Sequence, residues 1–175
     1  MIICGIDNGA TGQIGIIYKD GSYDVIDTPS ERVLSYQKSK TTFVNRVIHK
    51  DFKKYLSDIL IKNPDEEMKV FLERPMVNKM RFNSSLNAMR SYESEIIALE
   101  SLNLSYDIID SKKWQKSLLP VGVSGSVELK KASMDVGIRL FPKSKAVIKK
   151  HKDADGILIA EFARMNLYKD TTNNL

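Results

Sequence analysis

The sequence Ile2-Ile3-Cys4-Gly5-Ile6-Asp7 decides the fold that we expect for this chain. It is a short apolar run that ends in an acid, and the residues that follow it are Asn8-Gly9-Ala10-Thr11-Gly12. Apolar runs of this length bounded by glycine are typical of strands rather than helices. Because the chain returns as Ile14-Gly15-Ile16-Ile17-Tyr18, we predict a hairpin. Asp7 then lies at the rim of a sheet, where it serves either as a turn residue or as the ligand of a cation.

The composition is that of a soluble globular protein without disulfides. The chain has 175 residues, of which 42% are hydrophobic and 28% charged, and these are ordinary values. One cysteine and two histidines exclude a disulfide framework and make a structural zinc site implausible. The sequence shows no signal peptide and no apolar run near the ~20 residues of a membrane helix. We therefore expect one intracellular domain over residues 1–175, without a membrane partner and with a frayed tail after residue 169.

The charge balance permits a polyanionic partner without proving one. Lys and Arg outnumber Asp and Glu by 27 to 22, and the pI is about 9.2. Residues 30–46 are polar and contain Arg32, Lys38, Lys40 and Arg46. We interpret this segment as a loop or lid, which is either simply solvated or in contact with a phosphate backbone.

The remaining chain alternates between strand and helix patterns. We predict strands at 2–7, 14–18, 23–27, 68–73 and 104–110, and helices from about 47, at 86–102, from 111, at 127–140 and after 153. Three antiparallel strands followed by strands that alternate with helices in βαβ-type connections are typical of an α/β fold. Within the helix at 86–102, we expect Arg90, Glu93 and Glu95 to be surface charges.

A second strand also ends in an acid, and two more acids precede the last helix. Glu73 closes the run Met68–Glu73, and ligands gather beyond the carboxyl ends of parallel strands. Pairing of Glu73 with Arg74 is the alternative, but adjacent strand residues point to opposite faces. Capping of the last helix explains either Asp153 or Asp155 better than it explains both.

These acids together predict a site for hard cations. Carboxylates without thiols or several histidines prefer Mg²⁺ or Mn²⁺. Two such ions can clamp a scissile phosphodiester, one activating water and the other stabilising the leaving oxygen. The glycine turn lacks the Gly-Lys-Ser/Thr of a P-loop, and His49 lies on a lysine-rich helix face, so neither a P-loop nucleotide site nor a Ser-His-Asp triad is indicated.

Four segments in this order resemble RuvC-type Holliday junction resolvases, particularly the small bacteriophage-encoded ones. They are Ile6-Asp7-Asn8-Gly9 with Thr11-Gly12, Leu72-Glu73, residues 110–116 (DSKKWQK) and residues 151–160 (HKDADGILIA). The resemblance implies an RNase H-like fold with a mixed five-stranded sheet. It also implies a homodimer that cuts four-way DNA junctions symmetrically with Mg²⁺ or Mn²⁺ and leaves 5′-phosphates. Such an enzyme acts in the cytoplasm, that of the bacterial host if a phage encodes it.

The resemblance also implies roles for particular residues. Asp7 matches the ligand on the first strand, Glu73 the acid on the fourth strand, and Asp155 the last acid. The family has a further acid or histidine shortly before that position, for which we favour Asp153 over His151.

The same resemblance implies which residues contact DNA. Lys130 matches a basic residue that steadies the scissile phosphate, with Lys131 as its rival. The helix from Leu86 is expected at or near the dimer interface. The remaining predicted DNA contacts are Asn78, Lys79, Arg81, Asn83 and Lys116.

The sequence pattern is also compatible with other functions. A nuclease of the same fold could act on RNA–DNA hybrids or on flapped and branched DNA. An actin-like or sugar-kinase-like protein would need a second domain, for which 175 residues leave no room. A non-catalytic junction-binding module is disfavoured, because carboxylates near phosphates weaken binding unless a metal lies between them.

Overall fold

A computed structural model describes residues 1–35 and 42–172, with side chains through residue 167. Its main sheet has five strands in the order β3-β2-β1-β6-β7. β1 pairs antiparallel with β2 and β2 with β3, whereas β6 runs parallel to β1 and β7 parallel to β6. The strands are β1 Ile2–Ile6, β2 Gln13–Ile17, β3 Tyr23–Asp27, β4 Ser30–Leu34, β5 Phe43–Val47, β6 Met68–Glu73 and β7 Tyr106–Ile109. The predicted mixed five-stranded sheet is thus confirmed.

Helices cover both faces of this sheet. The helices are α1 His49–Lys62, α2 Phe82–Glu100, α3 Ser111–Leu118, α4 Ser126–Leu140, α5 Lys145–His151 and α6 Asp155–Thr172. One buried cluster joins the sheet to α1 and α2, and a second joins its other face to α3, α4, α5 and α6. Within the described ranges, no helix has both the length and the apolar character needed to cross a bilayer. Residues 173–175, predicted as part of a frayed tail, lie outside those ranges.

The prediction of a loop over residues 30–46 is wrong, because β4 and β5 form a separate hairpin. Ser30 pairs with Val47 and Leu34 with Phe43, and the Arg32 guanidinium lies 4.8 Å from the centre of the Phe43 ring. Most residues of both strands are exposed, so the sequence lacks the alternation of buried and exposed positions that signals a strand. Lys38 and Lys40 belong to residues 36–41, outside the described part.

Glycines in the first two strands allow α6 to lie directly on the sheet backbone. Gly5 and Gly15 are paired across β1 and β2. A Cβ atom on Gly15 would lie 2.3 Å from Ile157 Cα, and one on Gly5 would lie 2.3 Å from the Ala160 amide nitrogen. Because these neighbours are helix backbone atoms, they cannot move aside as a flexible side chain would. The first turn of α6 is therefore held over the strand ends.

We expect Gly15→Ala to lower the free energy of unfolding by about 3 kcal/mol, because the added methyl overpacks the contact with α6. Urea denaturation followed by circular dichroism measures this change. Gly21→Asn is the matched control, since Gly21 has φ 83° and open space around it, and Asn tolerates that conformation. Equal stability of the Gly15→Ala variant and the wild type would contradict the close packing of α6.

Candidate active site

The parallel pairing of β1 and β6 brings Asp7 and Glu73 together. Ile6 is paired with Leu72, so the two acids that follow these residues lie side by side at the carboxyl ends of their strands. Burial raises the pKa of Asp7 well above its usual range, and the nearby charges of Glu73, Asp155 and Asp153 add to this effect. The acids that the sequence placed at separate points of the chain thus meet at one edge of the sheet.

Trp114 orients Glu73. The indole Nε1 of this fully buried side chain in α3 donates a hydrogen bond to Glu73 Oε1 at 2.9 Å. Burial raises the pKa of Glu73, and the bond from Trp114 opposes that rise because it stabilises the carboxylate. Arg74 instead pairs with Asp110, Nε to Oδ1 at 3.0 Å, so the alternative pairing of Glu73 with Arg74 is not seen.

Ser133 of α4 places the acids at the start of α6. Its hydroxyl accepts a hydrogen bond from the Ala154 amide at 3.0 Å and donates one to Asp155 Oδ1. Burial raises the pKa of Asp155 to about 7, and the neighbouring charge of Asp153 also raises it, whereas the bond from Ser133 lowers it. A side chain that is itself fully buried therefore fixes both the backbone and the carboxylate of this turn.

Lys130, rather than Lys131, reaches the acids. Lys130 Nζ donates to Asp153 Oδ2 at 2.8 Å, and the lysine side chain is 61% exposed while the aspartate is 2% exposed. The hydrogen bond to Asp153 raises the pKa of Lys130. Lys131 lines a different cavity, together with Val123 and Asp135.

His151 lies in the cluster together with Asp153, so both candidates for the fourth ligand are present. His151 Nε2 is 3.3 Å from Asp153 Oδ1, and Nδ1 is 2.9 Å from Asp27 Oδ1. Asp7, His151 and Asp153 each offer a ligand atom within 4.8 Å of the others. Asp27 orients the imidazole as carboxylates do for metal-binding histidines. Asp27 was not among the site residues predicted from the sequence, although the third strand also ends in this acid.

This donor set fits a hard divalent cation. Oxygen ligands with one imidazole suit Mg²⁺ and Mn²⁺. Asp153 Oδ1 is buried and accepts no hydrogen bond within the described part of the chain. The charges of neighbouring acids raise the pKa values of Asp7 and Asp155, so a cation among them would relieve this repulsion and could be bound by Asp153 Oδ1.

A groove of about 500 Å³ opens beside the acids. Glu73 and Asp155 form part of its wall, as do the predicted DNA contacts Asn78, Arg81 and Lys130. Its other basic lining residues are Arg74 and Lys112, which were not among the predicted DNA contacts. The predicted contacts Lys79, Asn83, Lys116 and Lys131 do not line this groove.

The prediction that Glu95 is a surface charge is wrong. This residue of α2 is fully buried, and its Oε1 accepts a hydrogen bond from the Gly9 amide at 3.3 Å. Burial raises the pKa of Glu95 to about 8, and the bond from Gly9 opposes the rise. The helical pattern gives no sign of this contact, because the partner lies in the turn after β1. Glu95 therefore ties α2 to the segment that carries Asp7.

We expect the Glu95→Gln variant to gain stability relative to the wild type as the pH rises from 5 to 8. The folded wild type holds a proton on Glu95 that the unfolded chain releases near pH 4.5, so its free energy of unfolding falls by up to about 1.4 kcal/mol per pH unit in this window. Glutamine removes this contribution. Thermal denaturation at several pH values measures the difference.

The control is Glu93→Gln, which removes a charge from an exposed position of the same helix. A stability difference between Glu95→Gln and the wild type that does not change with pH would contradict the buried neutral carboxyl.

Comparisons in sequence identify no relative: no protein-family model and no curated protein matches the chain. Comparisons of the structure find chains with a similar fold. A Thermus thermophilus RuvC in complex with a Holliday junction substrate matches with a TM-score of 0.56 at 16% identity, over 94% of this chain and 96% of that one. Another Thermus thermophilus RuvC structure matches with a TM-score of 0.48 at 15% identity, over 95% and 97% of the chains. A fowlpox virus resolvase in complex with Holliday junction DNA matches with a TM-score of 0.43 at 16% identity, over 95% and 99%.

The chain therefore has an RNase H-like fold, as the resemblance to RuvC-type resolvases implied. Within that class, its fold is that of RuvC.

Proposed function

We propose that this protein is a metal-dependent DNA endonuclease that resolves four-way (Holliday) junctions by two-metal hydrolysis of phosphodiester bonds. The observation that carries the proposal is the meeting of four carboxylates and His151 at one edge of a RuvC-like sheet, beside a groove lined by basic residues. Acids at the wall of a basic groove suit a reaction on a phosphodiester rather than simple binding, because bare carboxylates would repel the backbone.

Different residues of the chain would bind the metal ions and hold their ligands in place. Asp7, Glu73, Asp153 and Asp155 would hold the ions, and His151 is positioned to join them. When bound, Mg²⁺ or Mn²⁺ would activate the attacking water and stabilise the leaving oxygen. Trp114 and Ser133 hold two of the carboxylates in place, so the ligands need little rearrangement to receive a cation.

Basic residues would bind and orient the substrate. Arg81 and Lys112 line the groove on the approach to the acids and would contact the DNA backbone. Lys130 carries a flexible, largely exposed side chain that pairs with Asp153. We propose that it turns to the scissile phosphate once a cation neutralises that aspartate.

We further propose that the whole chain acts as one domain within a homodimer, since cutting a junction symmetrically requires two active sites. The support is an apolar surface on and before α2 that includes Met80, Phe82, Leu86, Met89 and Ile97, all of them exposed. Apolar patches of this kind mark protein–protein contacts. We place the activity in the cytoplasm, that of the bacterial host if a phage encodes the chain.

The experiment that tests the function is cleavage of a labelled four-way DNA junction with Mg²⁺, with Mn²⁺ or with EDTA. A matched duplex, a flap and an RNA–DNA hybrid serve as competing substrates. We expect paired symmetric nicks on the junction that disappear in EDTA. Equal cutting of flaps or hybrids would indicate a broader nuclease, and junction binding without cutting in either metal would leave a binding module.

We expect Asp7→Asn and Glu73→Gln to abolish junction cutting while preserving junction binding, because each removes a charged metal ligand and keeps the shape of the side chain. Gel-shift titration and cleavage assays on one substrate separate the two effects. Asp65→Asn, at an exposed position after α1, serves as the control. Cutting at the wild-type rate by either ligand variant would show that the site is assigned wrongly.

We expect Lys130→Ala to slow cleavage by about 100-fold and to change junction affinity by less than about threefold, since a positioned cation acts mainly on the charge that develops in the transition state. Lys131→Ala is the matched control, because its side chain faces another cavity. A loss of affinity equal to the loss of rate would mean that Lys130 is only a backbone contact.

A further inference from the structure

The surplus positive charge of the chain is concentrated in one short segment, residues 143–152. Five lysines lie in it, and it contains no acid. Without these five, the 27 basic residues become 22 and are balanced by the 22 acids, so this segment accounts for the whole net charge of +5. All five residues are exposed. We call this surface the lysine patch, and it consists of Lys143, Lys145, Lys149, Lys150 and Lys152.

Packing holds the lysine patch at a fixed place on the fold. Ile148 of α5 is fully buried in the core beneath the patch. The Lys143 amide donates a hydrogen bond to the Tyr23 hydroxyl at 3.0 Å, and the Tyr23 ring packs edge-on against Phe141, with the ring centres 5.0 Å apart. These contacts fix α5 against β3 and α4, so the lysines form a positioned surface rather than a flexible tail.

Few acids of the chain compete for the lysine patch. Lys150 Nζ lies 3.6 Å from Asp27 Oδ2, but the lysine side chain is 80% exposed, and exposed pairs of this kind contribute little. The described part of the chain places no acid in an ion pair with Lys145, Lys149 or Lys152. The patch can therefore bind an anion from outside the chain.

The lysine patch lies beside the acids of the active site, on the side opposite the groove. His151 ends α5, and its Nε2 is 3.3 Å from Asp153 Oδ1, while its Nδ1 contacts Asp27 at the end of β3. The groove lies instead on the side of Glu73, which ends β6. Since the strand order is β3-β2-β1-β6-β7, the patch and the groove border Asp7 from opposite sides.

Lysines in this arrangement suit a phosphate backbone. An ammonium group is a flexible point charge, and it contacts phosphates without reading base sequence. The seven residues of α5 form a helix about 10 Å long, which spans about three phosphates at the 3.4 Å spacing of one strand. Contacts between proteins are instead depleted in lysine, and α5, which is described throughout, exposes no large apolar side chain. A polyanion therefore fits this surface better than a second protein.

We propose that the lysine patch binds the phosphate backbone of the DNA arm that extends from the scissile phosphate on the β3 side of the acids. Lys143, Lys145 and Lys149 are its main contacts. This inference rests on the proposed function, because it assigns a second part of the path of the same substrate. The groove binds DNA on the β6 side, so basic residues hold the backbone on both sides of the acids. Contacts of this kind add affinity without sequence preference.

The first test is the salt dependence of junction affinity in the Asp7→Asn background, in which no cutting is expected. Lys143→Gln, Lys145→Gln and Lys149→Gln are combined, and the two lysines nearest the acids stay unchanged. We expect the slope of log association constant against log salt concentration to fall in magnitude by about 2–3, since each phosphate contact contributes about 0.9. The affinity in about 50 mM salt should fall by about tenfold or more.

The matched control combines Lys50→Gln, Lys54→Gln and Lys62→Gln in the same background. These exposed lysines belong to α1, on the opposite face of the sheet, and both combinations remove three charges. We expect the control to change the slope by less than about 1. Equal losses in the two variants would mean that only net charge matters and would overturn the inference, as would an unchanged slope in the patch variant. Circular dichroism melting shows whether each variant is folded.

The second test locates the DNA arm on the protein. Cys4 is the one cysteine of the chain and is fully buried, so a photoactivatable crosslinker attaches to the Lys149→Cys variant at the new position alone. In the Asp7→Asn background, we expect crosslinks to one junction arm, at nucleotides next to the scissile position. Lys50→Cys with the same reagent should give none. A lack of crosslinks from Lys149→Cys would overturn the inference.

The outcomes for the lysine patch and for the proposed function are separable. Loss of salt slope in the patch variant, with crosslinks from Lys149→Cys but no cutting by wild-type protein in Mg²⁺ or Mn²⁺, would support the patch and contradict the nuclease. Junction cutting by wild-type protein, with an unchanged slope in the patch variant, would support the nuclease and contradict the patch.

Discussion

The contact of α6 with the backbone of β1 and β2 is the constraint on which the site depends. Gly5 and Gly15 have no side chains, so the helix rests where a methyl group would already collide with Ile157 or with the Ala160 amide. This contact holds the start of α6 over the edge at which β1 and β6 end. Asp153 and Asp155 reach Asp7 and Glu73 because the helix lies this close. The packing of apolar segments brings the acids together, although the repulsion between their carboxylates opposes this arrangement.

The electrostatic cost of the site is offset by hydrogen bonds that hold individual ligands. Burial and mutual repulsion raise the pKa values of Asp7 and Asp155, so the cluster destabilises the folded protein when it is fully charged. Trp114, Ser133 and Lys130 counter part of this cost. Such a balance is typical of functional sites, where stability is given up for a preorganised charge distribution. A divalent cation would supply the remaining compensation.

The surroundings of the acids are divided by chemical type. Basic side chains line the groove on one side, and amides and hydroxyls line a cavity on the other. The β4–β5 hairpin and the turn after β1 border that cavity, and Glu95 ties the same turn to α2. The acids thus lie between two surfaces of different chemistry, a basic one and a neutral polar one.

The sequence by itself determined the five-stranded sheet and most of its acids, because short apolar runs that end in Asp7 and Glu73 carry their own strand signal. Local pattern failed where the partner of a residue lies far along the chain. Asp27 meets His151, Trp114 meets Glu73, and Ser133 meets Asp155 only after the sheet and helices have packed.

The β4–β5 hairpin and the burial of Glu95 were also decided by tertiary structure. Both strands of the hairpin are mostly exposed, so their sequences lack the alternation of polar and apolar residues that would predict a strand. Glu95 is buried because the turn after β1 lies against its helix. The spacing of apolar residues along the chain indicates which side chains are buried. The pairing of polar groups depends instead on which helices and strands become neighbours in the folded protein.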